Sequence, residues 1–170
     1  MIYFTSDLHL GHENVIKFEN RPFSDVVEMN RVLIANYNAV VQPNDTVYIL
    51  GDLTYRIPLD EANKIISRLN GRKYLITGNH DKKYDESLFE EITVYKEIKW
   101  DGNNFILMHY PFMEWNKMYH GSYNLHGHIH SNGSEYNSRN AQEDIRRYDV
   151  GVDANNFFPV AITTIIDFFN

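Results

Sequence analysis

Five short apolar runs in this 170-residue chain end in the same kind of side chain. Ile2–Thr5, with Ser6, leads into Asp7-Leu8-His9, and Val47–Leu50 leads into Gly51-Asp52. Tyr74–Thr77 leads into Gly78-Asn79-His80-Asp81, Phe105–Met108 into His109, and Tyr123–His126 into Gly127-His128-Ile129-His130. Runs of this length, rich in β-branched, aromatic and aliphatic residues, read as strands. In open α/β sheets ligands gather outside the carboxyl ends of the strands, so five such ends carrying Asp, Asn and His point to one convergent site. The donors are oxygen and nitrogen, and the chain has no cysteine, a set suited to Mn, Fe, Zn, Ni or Co. Gly51, Gly78 and Gly127 stand just before ligand candidates, where a missing Cβ permits positive φ and close approach of the backbone.

Around these runs strand and helix signals alternate. Strands are expected at Ile2–Thr5, Thr46–Leu50, Tyr74–Thr77, Ile92–Ile98, Phe105–Met108, Tyr123–Leu125 and Arg147–Val150. A helix is expected from Ser24, its N-cap, to Val41, with Val27, Arg31, Ile34 and Asn38 on one face beside Val26, Leu33 and Tyr37. Pro43 and Asn44 end it. A second helix is expected from Leu59 to Leu69, stopped by Asn70-Gly71. The polar stretch Ser131–Asp144 reads as a surface loop. Without repeats, linkers or low-complexity segments, residues 1–170 read as one domain. Alternation followed by a strand-rich second half predicts an α/β layered sandwich, and periodicity leaves open whether it holds one sheet or two.

The formal charge is −7, with Lys and Arg scattered, which counts against long nucleic acid as a partner. Two divalent ions would add four positive charges, leaving about −3 overall and a locally positive site open to a small anion. The start of the chain lacks a basic segment followed by an apolar one, and no apolar run approaches the ~20 residues that span a bilayer. A cytoplasmic protein without membrane contact is therefore expected. The missing cysteines fit a reducing interior and exclude disulfides, zinc–thiolate sites and a cysteine nucleophile.

The ordered series Asp7-x-His9, Gly51-Asp52, Gly78-Asn79-His80-Asp81, His109 and Gly127-His128-x-His130 resembles the calcineurin-like metallophosphoesterase family, in order as well as identity. The resemblance implies a four-layer αββα sandwich with two central mixed β-sheets flanked by helices. It implies a hydrolase of phosphomonoesters or phosphodiesters that uses two divalent metal ions, manganese first, with iron, zinc, nickel or cobalt as alternatives. Asp7, His9, Asp52 and His130 would hold one ion, and Asp52, Asn79, His109 and His128 the other, with Asp52 bridging. A metal-bridging hydroxide would be the nucleophile. His80 would be the catalytic histidine, facing the phosphate to stabilise charge or protonate the leaving oxygen. The implied substrate is a small phosphate ester, nucleotides and oligonucleotides included.

The sequence departs from the family at Tyr55, where many members carry a second Asp three residues after the bridging one. The task of orienting His80 would then pass to Asp81 or lapse. Outside the motifs, His12 reads as a capping or solvated residue and His126 as a packing residue on its strand. Arg21 and Arg56 read as surface ion pairs or phosphate contacts. Asp149 to Asp153 read as a strand-end turn, with Asp153 a lesser candidate for the site. The rival reading is a non-catalytic scaffold on the same fold, encouraged only by Tyr55. A metallo-β-lactamase-like enzyme needs His-x-His-x-Asp-His, and Ser131-Asn132-Gly133 follows His130 instead.

Overall fold

A computed structural model describes residues 1–131 and 135–170. The elements in chain order are β1 (Ile2–Thr5), α1 (Glu13–Phe18), α2 (Val26–Val40), β2 (Thr46–Ile49), α3 (Leu59–Ile66), β3 (Arg72–Ile76) and β4 (Glu91–Thr93). There follow β5 (Tyr95–Trp100), β6 (Asn103–Met108), β7 (Tyr123–His126), α4 (Glu135–Gln142), β8 (Arg147–Asp149), β9 (Val160–Ala161) and α5 (Ile162–Phe168). Two mixed sheets with flanking helices result. One has the order β4-β3-β2-β1-β9, parallel except for β9, and the other β5-β6-β7-β8, parallel except for β5. Among the described residues no helix is long and apolar enough to cross a membrane.

Strand alternation divides the apolar side chains between two cores. Val47, Ile49 and Leu75 share one with Met29, Leu33 and Tyr37 of α2 and Ala62 and Ile66 of α3. Phe4, Tyr48 and Ile76 point the other way and meet Phe105, Leu107, Tyr123 and Leu125 of the second sheet, with Ile162 and Ile165 of α5 in the same cluster. Phe4 stacks on Phe105 at 6.3 Å between ring centroids, joining the sheets face to face.

Several expectations need correction. Asp25 is the N-cap of α2: its carboxylate accepts the Glu28 N–H at 2.8 Å, while Ser24 donates to the Glu28 side chain. The buried stripe of α2 is Met29, Leu33, Ile34 and Tyr37, and Val27 is 73 % exposed. Four large side chains outweigh the area the expected stripe would bury. The run Ile92–Ile98 is two strands: β4 pairs with β3 in the first sheet, and β5 pairs with β6 in the second. A period of two survives the crossing because both pieces are extended, so the pattern cannot report the switch.

The expected loop Ser131–Asp144 falls partly on residues 132–134, outside the described residues, but most of it is α4. Its asparagines are interior side chains. Asn137 donates to the Asp149 carbonyl at 3.1 Å and accepts the Asp149 N–H at 2.8 Å, and Asn140 donates to the Arg147 carbonyl at 2.9 Å. These amides satisfy the free edge of β8 as a neighbouring strand would. Beyond the expected strand-end turn, residues 151–170 supply β9 and α5.

Candidate metal centre

The parallel strands of both sheets deliver their carboxyl ends to one side of the sandwich, and the segments after β1 and β2 stay paired beyond the strands. The Asp7 N–H bonds the Gly51 carbonyl at 3.0 Å, His9 bonds Asp52 at 2.9 Å, and Leu10 bonds Leu53 at 3.1 Å. The second sheet is tied in by the Val152 N–H on the Ser6 carbonyl at 3.1 Å and by the His128 N–H on Asp7 Oδ2 at 2.9 Å. Asp7, His9, Asp52, His128 and His130 all have φ between 45° and 70°. Non-glycine residues enter this region rarely and at a cost, which the surrounding hydrogen bonds must cover.

Of the three glycines before candidate ligands, only Gly51 has a positive φ. Gly51 adopts a φ of 92°, as expected of a residue chosen for conformation. All three are places of close approach, since a Cβ would collide with His109 Nδ1 and the Gly78 backbone at Gly51, with Asp52 Oδ1 at Gly78, and with Ser6 Oγ and Asp7 Oδ2 at Gly127. The positive φ values fall on the acids and histidines themselves.

Ligand-type atoms of Asp7, His9 and His130 all lie within 4.8 Å of one another, and so do those of Asp7, Asp52 and His109. Asp7 Oδ1 lies 3.9 Å from His9 Nε2 and 3.8 Å from His130 Nε2. Asp52 Oδ2 lies 3.6 Å from Nε2 of both His9 and His109. Asn79 Oδ1 is 3.1 Å from His109 Nε2, and the His128 ring centroid is 5.1 Å from that of His109. Bonds of about 2.1 Å to a common cation would separate its ligands by about 3–3.5 Å, close to these spans.

Protonation follows from the partners. His109 Nδ1 lies 2.8 Å from the Leu50 carbonyl and His130 Nδ1 lies 2.8 Å from Asp153 Oδ2. Both oxygens can only accept, so each ring in its neutral form carries its proton on Nδ1 and turns a lone pair on Nε2 inward. Burial pushes the Asp7 carboxyl up to about 7, against the pull of His130 and His109, and burial pushes His9 down to about 2. Burial also lowers His128. His130 moves up: burial opposes the proton, but the Asp153 hydrogen bond and the charges of Asp7 and Asp153 outweigh it. Asp7 Oδ1 is buried without a hydrogen-bond partner. A fully buried carboxylate with an orphaned oxygen, ringed by inward lone pairs, is a donor set for a cation. The residues fit a divalent metal.

His80 lies at the exposed mouth. Its N–H donates to Asp52 Oδ1 at 2.9 Å, and its ring centroid is 5.7 Å from that of His9. Asp81 does not orient that ring: its carboxylate takes the N–H groups of Asp52, Leu53 and Gly78 and the hydroxyl of Tyr84. It holds the Asp52 loop against the Gly78 loop. Tyr55 meets the His80 ring edge-on at 5.0 Å and stacks on His12 at 3.7 Å. His12 is the N-cap residue of α1, but its side chain makes no capping bond. Arg56 lies over the Tyr55 ring, and Tyr110 packs on the His128 ring at 4.5 Å.

Two residues gain weight here. Arg21, read from sequence as a surface pair or a phosphate contact, is 4 % exposed and forms a buried ion pair with Asp153. Asp153 itself reaches the site through His130. Asp149 keeps to the strand-end turn, accepting from Gly151 N, Ser131 N and Ser131 Oγ.

A family profile described as calcineurin-like phosphoesterase matches residues 1–158. An uncharacterized protein of Methanocaldococcus jannaschii is 37 % identical over 97 % of this chain and 89 % of its own length. The gene 66 protein of Mycobacterium phage L5 is 29 % identical over 89 % of this chain and 86 % of its own. A crystal structure of a protein of unknown function from Aquifex aeolicus superposes with a TM-score of 0.77 at 32 % identity, covering 98 % of both chains.

Proposed function

The chain belongs to the calcineurin-like phosphoesterases, and from that premise we propose that residues 1–170 form one metal-dependent hydrolase of phosphomonoesters or phosphodiesters working with two divalent ions. Asp7, His9, Asp52 and His130 hold one ion, and Asp52, Asn79, His109 and His128 hold the other. The observation that carries this reading is Asp52 Oδ2, 3.6 Å from Nε2 of His9 on one side and of His109 on the other, where a shared carboxylate belongs. Two ions held there would supply a water of lowered pKa and positive charge for the phosphoryl oxygens.

The protein's own groups supply the rest. The Nδ1 partners of His109 and His130 fix both rings, with His109 Nε2 3.1 Å from Asn79 Oδ1 and His130 Nε2 3.2 Å from His9 Nε2, so both rings already face the other candidate ligands. His80, exposed beside the Asp52 loop, meets the substrate from the solvent side and gives a proton to the leaving oxygen. The open, polar mouth suits a small phosphate ester, and a nucleotide or short oligonucleotide fits the same description. Manganese is the first ion to supply.

The test is a plate assay of the manganese-loaded protein against p-nitrophenyl phosphate, its bis ester and cyclic nucleotides. Turnover of at least one class is expected, and the class identifies the reaction. Two equivalents of bound manganese with no turnover of any class would leave the scaffold reading in its place.

A further inference from the structure

Every N–H of the Arg21 guanidinium is spent inside the protein. Nε and Nη2 each reach one oxygen of Asp153 at 2.8 Å, Nη2 also reaches the Asp7 carbonyl at 2.7 Å, and Nη1 reaches the Leu8 carbonyl at 3.0 Å and Met29 Sδ at 3.5 Å. None is left for substrate. Asp153 Oδ2 takes the Nδ1–H of His130 as well. One buried cation thus connects the peptide of Asp7 and, through Asp153, the ring of His130, two candidate ligands far apart in sequence.

A buried ion pair rarely adds net stability over apolar side chains of the same size, so its value lies in what it positions. Asp7 and His130 both sit at positive φ, 56° and 45°, where local backbone preference does not hold them. The Arg21 fork holds the first from its carbonyl side, and the Asp153 carboxylate fixes the tautomer and rotation of the second. In the other half the Leu50 carbonyl holds only His109: among the described residues Asn79 Oδ1 meets only His109 and Tyr110, and the His128 ring has no hydrogen-bond partner.

We propose that Arg21 and Asp153 are a positioning pair that sets the metal affinity of the Asp7–His9–His130 half of the centre and leaves the Asn79–His128 half untouched. The proposal rests on the two-ion reading above. Asp153→Asn removes the charge and one acceptor: with its oxygen in the place of Oδ2 it keeps His130 and Nη2 but turns an NH2 against Arg21 Nε, and with the two groups exchanged it turns the NH2 against His130 and Nη2. Arg21→Lys keeps the charge but loses the fork that spans Asp153 and two carbonyls.

The experiment titrates the metal-stripped full chain with Mn²⁺ by calorimetry, with circular dichroism to verify folding. Two binding events are expected in the unaltered protein. Asp153→Asn and Arg21→Lys should weaken one of them by about 10–100-fold, the range of comparable supporting residues, and leave the other within about 2-fold. A loss of general packing would move both. His130→Ala identifies the affected event by abolishing it. In parallel, ¹⁵N spectra of the unaltered metal-stripped protein should show His130 protonated on Nδ1.

If neither event moves in the folded variants, or the neutral His130 ring proves protonated on Nε2 and not on Nδ1, the positioning role is wrong while the metal centre stands. If both variants fail to fold, the tautomer decides. Absence of Mn²⁺ binding in the unaltered protein would remove the two-ion reading and the proposal with it.

Discussion

Asp52 and His80 are joined by one hydrogen bond, yet substitution should separate them. Asp52→Asn keeps the shape and removes the shared charge, so bound metal should fall, and turnover should fall by more than about 100-fold, beyond what changes to supporting residues cost. His12→Ala removes a ring stacked on Tyr55 and no candidate ligand, so its loss should stay below about 10-fold at saturating metal. Equal turnover in these two variants would contradict the ligand assignment. His80→Ala should keep its metal and lose about 10²–10⁴-fold in kcat, which metal analysis beside single-turnover kinetics checks. What could be read from sequence at this scale was whatever is local: an acid or histidine within a few residues of an apolar run. Asp81 was legible as part of Gly78-Asn79-His80-Asp81, but its actual partners, the Asp52 and Leu53 N–H groups, lie some thirty positions away. Arg21 and Asp153 are 132 positions apart, and only the closed sandwich brings them into contact.

Elements were legible where one face is buried and one is wet, and obscured where that rule changes meaning. β1, β2, β3, β6, β7 and β8 come from runs whose length and composition already indicated strands. α5 begins Ile-Thr-Thr-Ile-Ile, a composition that favours strand, and becomes helix because Ile162 and Ile165 fall one turn apart in the inter-sheet core. α4 is polar almost throughout, and polarity ordinarily means solvent. Here Asn137 and Asn140 are buried because the edge of β8 needs donors and acceptors that no strand supplies. Asn137→Ala should therefore strand the N–H of Asp149, at about 1–3 kcal/mol, while the Asp149 carbonyl keeps Asn155 Nδ2 at 3.0 Å, and although Ala is the better helix former the variant should be less stable. Urea unfolding should show a lower midpoint. A variant as stable as the original would mean that β8 does not depend on these amides.

At the scale of the whole molecule, acid is the revealing stress, because buried histidines must stay neutral for the two sheets to close. His126 on β7 is fully buried, with Nδ1–H on the Gly127 carbonyl at 2.9 Å and Nε2 3.3 Å from the Tyr136 hydroxyl of α4. Burial pushes it down to about 4, against the pull of Asp149 and the Gly127 hydrogen bond. A depressed folded pKa means the unfolded chain takes the proton first. The stability it contributes is present above pH 6.5 and is lost as pH falls through about 4. The difference between those two values corresponds to something on the order of 3 kcal/mol. His9 acts with the same sign. Asp7 acts with the opposite one, because its raised pKa gives stability that is lost as pH rises through about 7. Comparing His126→Gln with the unaltered chain, both stripped of metal, cancels those two contributions. The unaltered chain should lose more stability than the variant between pH 7 and pH 4, read from urea midpoints at each pH. Parallel curves would show that the acid limb arises elsewhere, with His9 the next group to replace. Loading with Mn²⁺ should raise both curves near neutrality and lose that effect in acid, where protons compete for the same nitrogen and oxygen donors.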